Sequence, residues 1–166
     1  VWELGGAVYR HQLVHLKYQK ANGEITQAVV KPVGIMCSEY YFYLTAFIDD
    51  EDVRKDFDVL NDSFPTIYRI DRIKDLKISE ERFHIPYASR FEEGEFRKRI
   101  QFMYGGKLRK IKFKYSGTCV EAVLDRMPTA KILKEEDGVY TISAEVFGDG
   151  VDMWIRSQGD MIEVEE

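Results

Sequence analysis

Cysteine, histidine and proline are scarce in this chain: two, three and four occur among 166 residues. Cys37 and Cys119 form no Cys-x-x-Cys pair, which removes a zinc ribbon or a disulfide framework and makes a reducing cytoplasm the simplest setting. His11 and His15 are four apart, as two metal ligands on a helix would be. The second half of that segment reads as a strand, however, and no third ligand is near. No apolar run approaches the ~20 residues of a membrane span, and there is no basic segment leading into a short apolar one. Gly-x-Ser-x-Gly is absent. Gly105-Gly106-Lys107 lacks the earlier glycine and the following Ser/Thr of a phosphate loop, and Asp49-Asp50-Glu51-Asp52 lacks the glycine of a calcium loop. No metal, cofactor or catalytic centre is therefore expected, and the chain is read as a non-enzyme.

What remains is an ordinary globular composition, 45% hydrophobic and 32% charged, with a net charge of −5. A chain of this length buries about 70% of its unfolded surface, enough for one domain or two small ones without staples. It starts at Val1 without methionine, which suggests a piece of a longer protein.

The first half has the period of strands. Leu13 to Lys20 alternates and ends at Asn22-Gly23, a hairpin signal. Ile25 to Lys31 returns, Pro32 interrupts, and Val33 to Cys37 resumes. Tyr40 to Ile48 places Phe42, Leu44, Ala46 and Ile48 on one face and Tyr41, Tyr43 and Phe47 on the other. Thr66 to Ile73 and Leu76 to Ile78 close the set, and a short helix before Leu13 is weakly marked. Between Asp49 and Asp62 an acidic stretch, seven Asp/Glu against two basic residues, reads as a loop or frayed helix.

The second half changes rhythm after Ile85-Pro86-Tyr87. Ser89 with Glu92 has capping-box spacing, and a helix carrying Phe96, Ile100 and Met103 is expected to stop at Gly105-Gly106. Leu108 to Tyr115 is a strand with Lys110, Lys112 and Lys114 on one face. Thr118 with Glu121 caps a second helix. Strands over Ala130–Lys134 and Val139–Val146, a helix around Asp152–Ser157 and a strand over Asp160–Val164 complete a β-α-β-β-α-β series. The expected division is 1–85 as a small β-barrel, 86–106 as a linker helix and 107–166 as a ferredoxin-type domain. The class is mostly β followed by α+β.

Two basic features stand out. Arg97 to Lys114 holds eight Lys/Arg and no Asp/Glu, either a surface for phosphates or a solvated strand edge. Lys31, Arg69 and Arg72 lie among Tyr18, Tyr41 and Tyr43. Arginine can hold a phosphate while rings stack on bases, or can pair with Asp71 and leave no free anion site.

Lys17-Tyr18, Asn22-Gly23, Val30-Lys31-Pro32, Phe42-Tyr43-Leu44 and Tyr68-Arg69-Ile70-Asp71-Arg72-Ile73 occur in the order of a WYL domain, which they resemble. Phenylalanine stands where the family's name-giving tryptophan would be. The strand KIKFKY, the Asp137-Gly138 turn, Trp154-Ile155 and the run Gly159 to Val164 are similar to the WYL C-terminal extension (WCX). This resemblance implies an Sm-like barrel that senses a ligand, followed by an extension that contributes to dimerisation. It implies a cytoplasmic bacterial transcription regulator whose promoter DNA is read by an N-terminal helix-turn-helix outside these residues. The implied ligand is an anionic nucleotide or single-stranded nucleic acid held by Tyr18, Lys31, Tyr43, Arg69 and Arg72. Ala28 and Thr66 occupy positions where the family often has arginine, so fewer phosphate contacts are available. The competing reading is a ligand-free module for protein interaction or oligomerisation.

Overall fold

In a computed structural model, residues 1–49, 64–87 and 90–165 are described; the acidic stretch beyond Asp49 and the capping residue Ser89 lie outside them. The chain divides into two units, Val1–Phe91 and Glu92–Glu166.

In the first unit, helix α1 (Trp2–Arg10) ends where His11 takes the left-handed conformation, φ 51°. Strands β1 (Gln12–Gln19), β2 (Ile25–Ser38), β3 (Tyr41–Ile48), β4 (Thr66–Arg69) and β5 (Ile73–Arg82) form one antiparallel sheet, in the order β4-β3-β2-β1-β5. Alternation explains the core. Val14 and Leu16, Ala28 and Val30, and Leu44, Ala46 and Ile48 point to one side, where Leu4 and Ala7 of α1 cover them. Phe42 shares that parity but sits at the strand end, half in solvent.

The hairpin at Asn22-Gly23 forms, with Gly23 at φ 88° and the Glu24 N–H bonded to Asn22 Oδ1 at 3.0 Å. Pro32 does not end its strand. A bulge between Pro32 and Gly34 absorbs the missing donor, and β2 continues to Ser38.

The expected Sm-like barrel is not closed. β4 and β5 are the two edges of the sheet and no ladder joins them. All four residues of β4 pair with β3, and a single 3-10 turn, Ile70–Arg72, carries the chain directly to the opposite edge, where β5 pairs with β1. Among the described residues the two edges are linked by that turn and by no ladder. The architecture is two-sheet α+β.

The second unit contains α2 (Glu93–Arg97), β6 (Leu108–Tyr115), α3 (Val120–Arg126), β7 (Lys131–Glu136), β8 (Val139–Phe147), α4 (Gly150–Ser157) and β9 (Ile162–Glu165). Its antiparallel sheet has the order β7-β8-β6-β9. Ile111, Phe113 and Tyr115 of β6 and Ile142, Ala144 and Val146 of β8 face Val123, Met127, Val151 and Trp154 from the helices. Asp137 and Gly138, φ 51° and 78°, make the two-residue turn between β7 and β8.

The helix expected within 86–106 is confined to Glu93–Arg97. Beyond it Ile100 bridges to Phe147, and Phe102 and Met103 take positive φ. Gly105-Gly106 is therefore no helix cap. A Cβ on Gly106 would meet the backbone of Gly148, so the pair permits two loops to touch. Cys119, not Thr118, is the N-cap of α3, and it makes no side-chain cap bond.

Candidate ligand site at the corner of the first sheet

The corner between β4 and β5 gathers most of the candidate residues. Tyr43 of β3 lies directly opposite Arg69 of β4. The Arg69 guanidinium stacks 3.8 Å from the centre of the Tyr41 ring. It also grips Asp71, Nε donating to Oδ1 at 2.8 Å and Nη2 to Oδ2 at 2.7 Å. The Arg69 backbone N–H donates to the Tyr18 hydroxyl at 3.2 Å, and the Tyr18 ring meets Tyr68 edge-on at 5.1 Å.

Local sequence explains the corner. In a 3-10 turn, residues three apart eclipse one another. Ile70 and Ile73 pack against the core and leave Asp71 and Arg72 facing outward. A continuous strand would send Arg69 and Arg72 to opposite faces. Because the strand ends at Arg69, that parity rule does not apply, and Asp71 lies within the field of both arginines.

The electrostatics are reciprocal. Hydrogen bonding from Arg69 holds the Asp71 carboxyl below its ordinary range, and the same bond raises the Arg69 pKa. Burial pushes the Tyr43 phenol up, with Arg69 pulling the other way, so Tyr43 stays a neutral donor near pH 7. Two of the five guanidinium N–H groups of Arg69 are spent on Asp71. Arg72 is half-buried and makes no hydrogen bond or ion pair with a described residue.

Tyr43 and Arg69 share one face at the corner, with Arg72 joined to them through the charge of Asp71. Tyr18 reaches the corner from the core side, through its hydroxyl on the Arg69 N–H, and Lys31 does not reach it. It is paired across the sheet with Phe47, four residues along β3 from Tyr43 and so ~13 Å away. Its ammonium is held by Asp49 at 2.8 Å. Tyr41, named among the tyrosines near these basic residues, is absent from the expected ligand-binding set; its place over Arg69 depends on the β3–β4 register. Among the described residues no group of three or more His, Cys, Asp or Glu is placed to hold a metal. No helix there is long and apolar enough to cross a membrane.

Residues 3–78 match the WYL domain, and this segment is a WYL domain. No curated protein matches the chain. Among solved structures, the chain is similar to a CRISPR Cas-related protein, at 17% identity and a TM-score of 0.56 over 99% of this chain and 45% of that one. It is also similar to proteasome accessory factor B/C of Arthrobacter aurescens, at 15% identity and a TM-score of 0.44 over 98% of this chain and 24% of that one. The chain thus spans less than half the length of either. The likeness to the CRISPR Cas-related protein is one of fold.

Proposed function

We propose that this chain is the sensing part of a bacterial transcription regulator, and that its WYL domain holds an anionic, nucleic-acid-type ligand at the β4–β5 corner. The observation that carries this reading is Arg72. It is a half-buried cation with no hydrogen bond or ion pair among the described residues, one residue from Asp71 and three from Arg69, which keeps donors to spare. A phosphate there would meet Arg72 directly, Tyr41 and Tyr43 offer rings and hydroxyls to a nucleotide, and Tyr18 would hold the Arg69 backbone in place from the core side. Two copies of the chain would associate through the second unit. Ligand would change the arrangement of the DNA-reading domains if it bound one arrangement more tightly than the other. Promoter DNA would be contacted only by those domains, outside these residues.

One observation favours the alternative, a module that binds protein and no ligand: the bidentate Arg69–Asp71 pair removes much of one positive charge from the corner. Titrating a fluorescent single-stranded oligonucleotide with the chain at two salt concentrations separates the two. The sensor reading expects affinity to fall with salt with a log–log slope of about −0.7 for each phosphate engaged. Absence of binding at low salt favours the protein module.

A further inference from the structure

The basic run of the second unit plays no part in the β4–β5 corner. On β6, Lys110, Lys112 and Lys114 alternate with the buried Ile111, Phe113 and Tyr115. On β8, Thr141, Ser143 and Glu145 alternate with the buried Ile142, Ala144 and Val146. These polar residues share the sheet face opposite α3 and α4. Glu165 already holds Lys112 and Lys114 at 2.6 and 3.2 Å, so one stretch of the face carries a built-in carboxylate between two ammonium groups. The β6–β9 ladder ends at the Lys112–Glu165 pair, and Lys110 lies beyond it.

There a cleft of about 200 Å³ opens, with Arg99, Lys110, Thr129, Lys131, Ser143 and Glu145 among its lining. Its groups divide into spent and unspent. Arg99 is committed to Glu95 at 2.8 Å and to Glu145 at 3.3 Å, which neutralises the one carboxylate in the cleft. The Thr129 hydroxyl is used on the Glu145 backbone. Lys110 and Lys131 make no hydrogen bond or ion pair with a described residue, and neither does the hydroxyl of Ser143, a residue only 6% exposed. Lys131 pairs directly with Ser143 across β7–β8, and Lys110 pairs with Glu145 across β6–β8. The two lysines are thus two strands apart and two residues out of register, ~12 Å at the backbone, a span that two four-carbon stems close around one anion.

We propose that Lys110, Lys131 and Ser143 form a phosphate-binding site on the open face of the second sheet, separate from the WYL corner. The lining contains no aromatic side chain, so nothing there stacks on a base, and recognition rests on phosphate oxygens. That chemistry is shared by a free phosphate compound and by a nucleic-acid backbone.

Calorimetric titration of the whole chain with inorganic pyrophosphate, and separately with a thymidine oligonucleotide of about ten nucleotides, distinguishes the sources. The protein would be compared with K110Q/K131Q, E145Q and R72A. K110Q/K131Q should weaken binding at least about tenfold, because charge-assisted bonds are lost. E145Q, which removes the carboxylate of the cleft and leaves Arg99 held by Glu95 alone, should tighten it. R72A isolates the contribution of the WYL corner: binding weakened by R72A and not by K110Q/K131Q is assigned to that corner, which keeps failure here distinct from failure of the sensor reading. Pyrophosphate binding lost in K110Q/K131Q supports a small-phosphate site, and oligonucleotide binding alone lost in that variant supports a backbone site. Binding of neither probe at low salt, or binding indifferent to K110Q/K131Q, overturns the proposal. Both lysines are exposed, so these changes leave the fold intact, and an unaltered melting temperature verifies this.

Discussion

The Tyr18 hydroxyl accepts a hydrogen bond from the backbone N–H of Arg69 across 51 residues of sequence, at the turn that links the two edges of the first sheet. A closed barrel would offer that N–H a carbonyl from a neighbouring strand. Here a side chain does so and joins β1 to the end of β4. Because Arg69 also grips Asp71, the phenol helps fix the turn that presents Arg72.

Tyr18→Phe keeps the ring and its edge-on contact with Tyr68 but leaves the Arg69 N–H without this acceptor. The expected cost is about 1 kcal/mol, seen as a lower urea midpoint with an unchanged m value. An unchanged midpoint would mean that the bond contributes nothing to holding the corner.

The Arg69–Asp71 pair sets a pH dependence. The folded-state pKa of Asp71 is depressed, so its contribution is complete above the unfolded value, about 3.9, and is lost as pH falls through the lower folded value. Melting temperature should therefore not respond to this pair between pH 7 and 5 and should decline with acid below about pH 4. Asp71→Asn should flatten that acid limb slightly, because both partners are solvent-accessible and screened. The same variant releases Arg69 and should tighten oligonucleotide binding about threefold to tenfold. A loss of affinity would show that Asp71 positions the arginine for the ligand.

Lys31→Ala tests the reach of the corner. The Lys31 ammonium is held by Asp49 and its backbone is ~13 Å along the sheet from Tyr43, so oligonucleotide affinity should change less than about twofold. A larger loss would extend the site along β3.

Gly150→Ala tests the packing of the second unit. A Cβ at Gly150 would run into the carbonyl of Gln101, an atom with no room to move away as a flexible side chain would. Destabilisation of about 1–3 kcal/mol in chemical unfolding is expected, and a neutral result would mean that the Gln101 loop yields.

Local patterns were readable where one physical rule governs them. Asn22-Gly23 and Asp137-Gly138 make turns because these residues tolerate positive φ, and Leu44, Ala46 and Ile48 are buried because strand side chains alternate. Rules in competition were harder to read. Pro32 reads as an interruption between two strand segments, and a bulge one residue later lets them run on as one strand. Thr66 to Ile73 looked like one strand, and Ile70 and Ile73 serve equally well as anchors of a 3-10 turn, which is why the sheet meets at a corner without closing. Gly105-Gly106 looked like a helix cap, but the need for close approach comes from Gly148, more than forty residues away. At the site, Tyr18, Tyr43, Arg69 and Arg72 were legible as types in order. Tyr41 over Arg69 and the distance to Lys31 depend on strand register, which no single stretch of sequence encodes.

The most direct test of the central claim is fluorescence anisotropy of a labelled single-stranded oligonucleotide against the chain and its Arg72→Ala variant at low salt. The account predicts binding that weakens by at least about tenfold in the variant, with a shallower salt dependence, since one phosphate contact is gone. Equal affinity and equal salt slope in the two proteins would contradict it.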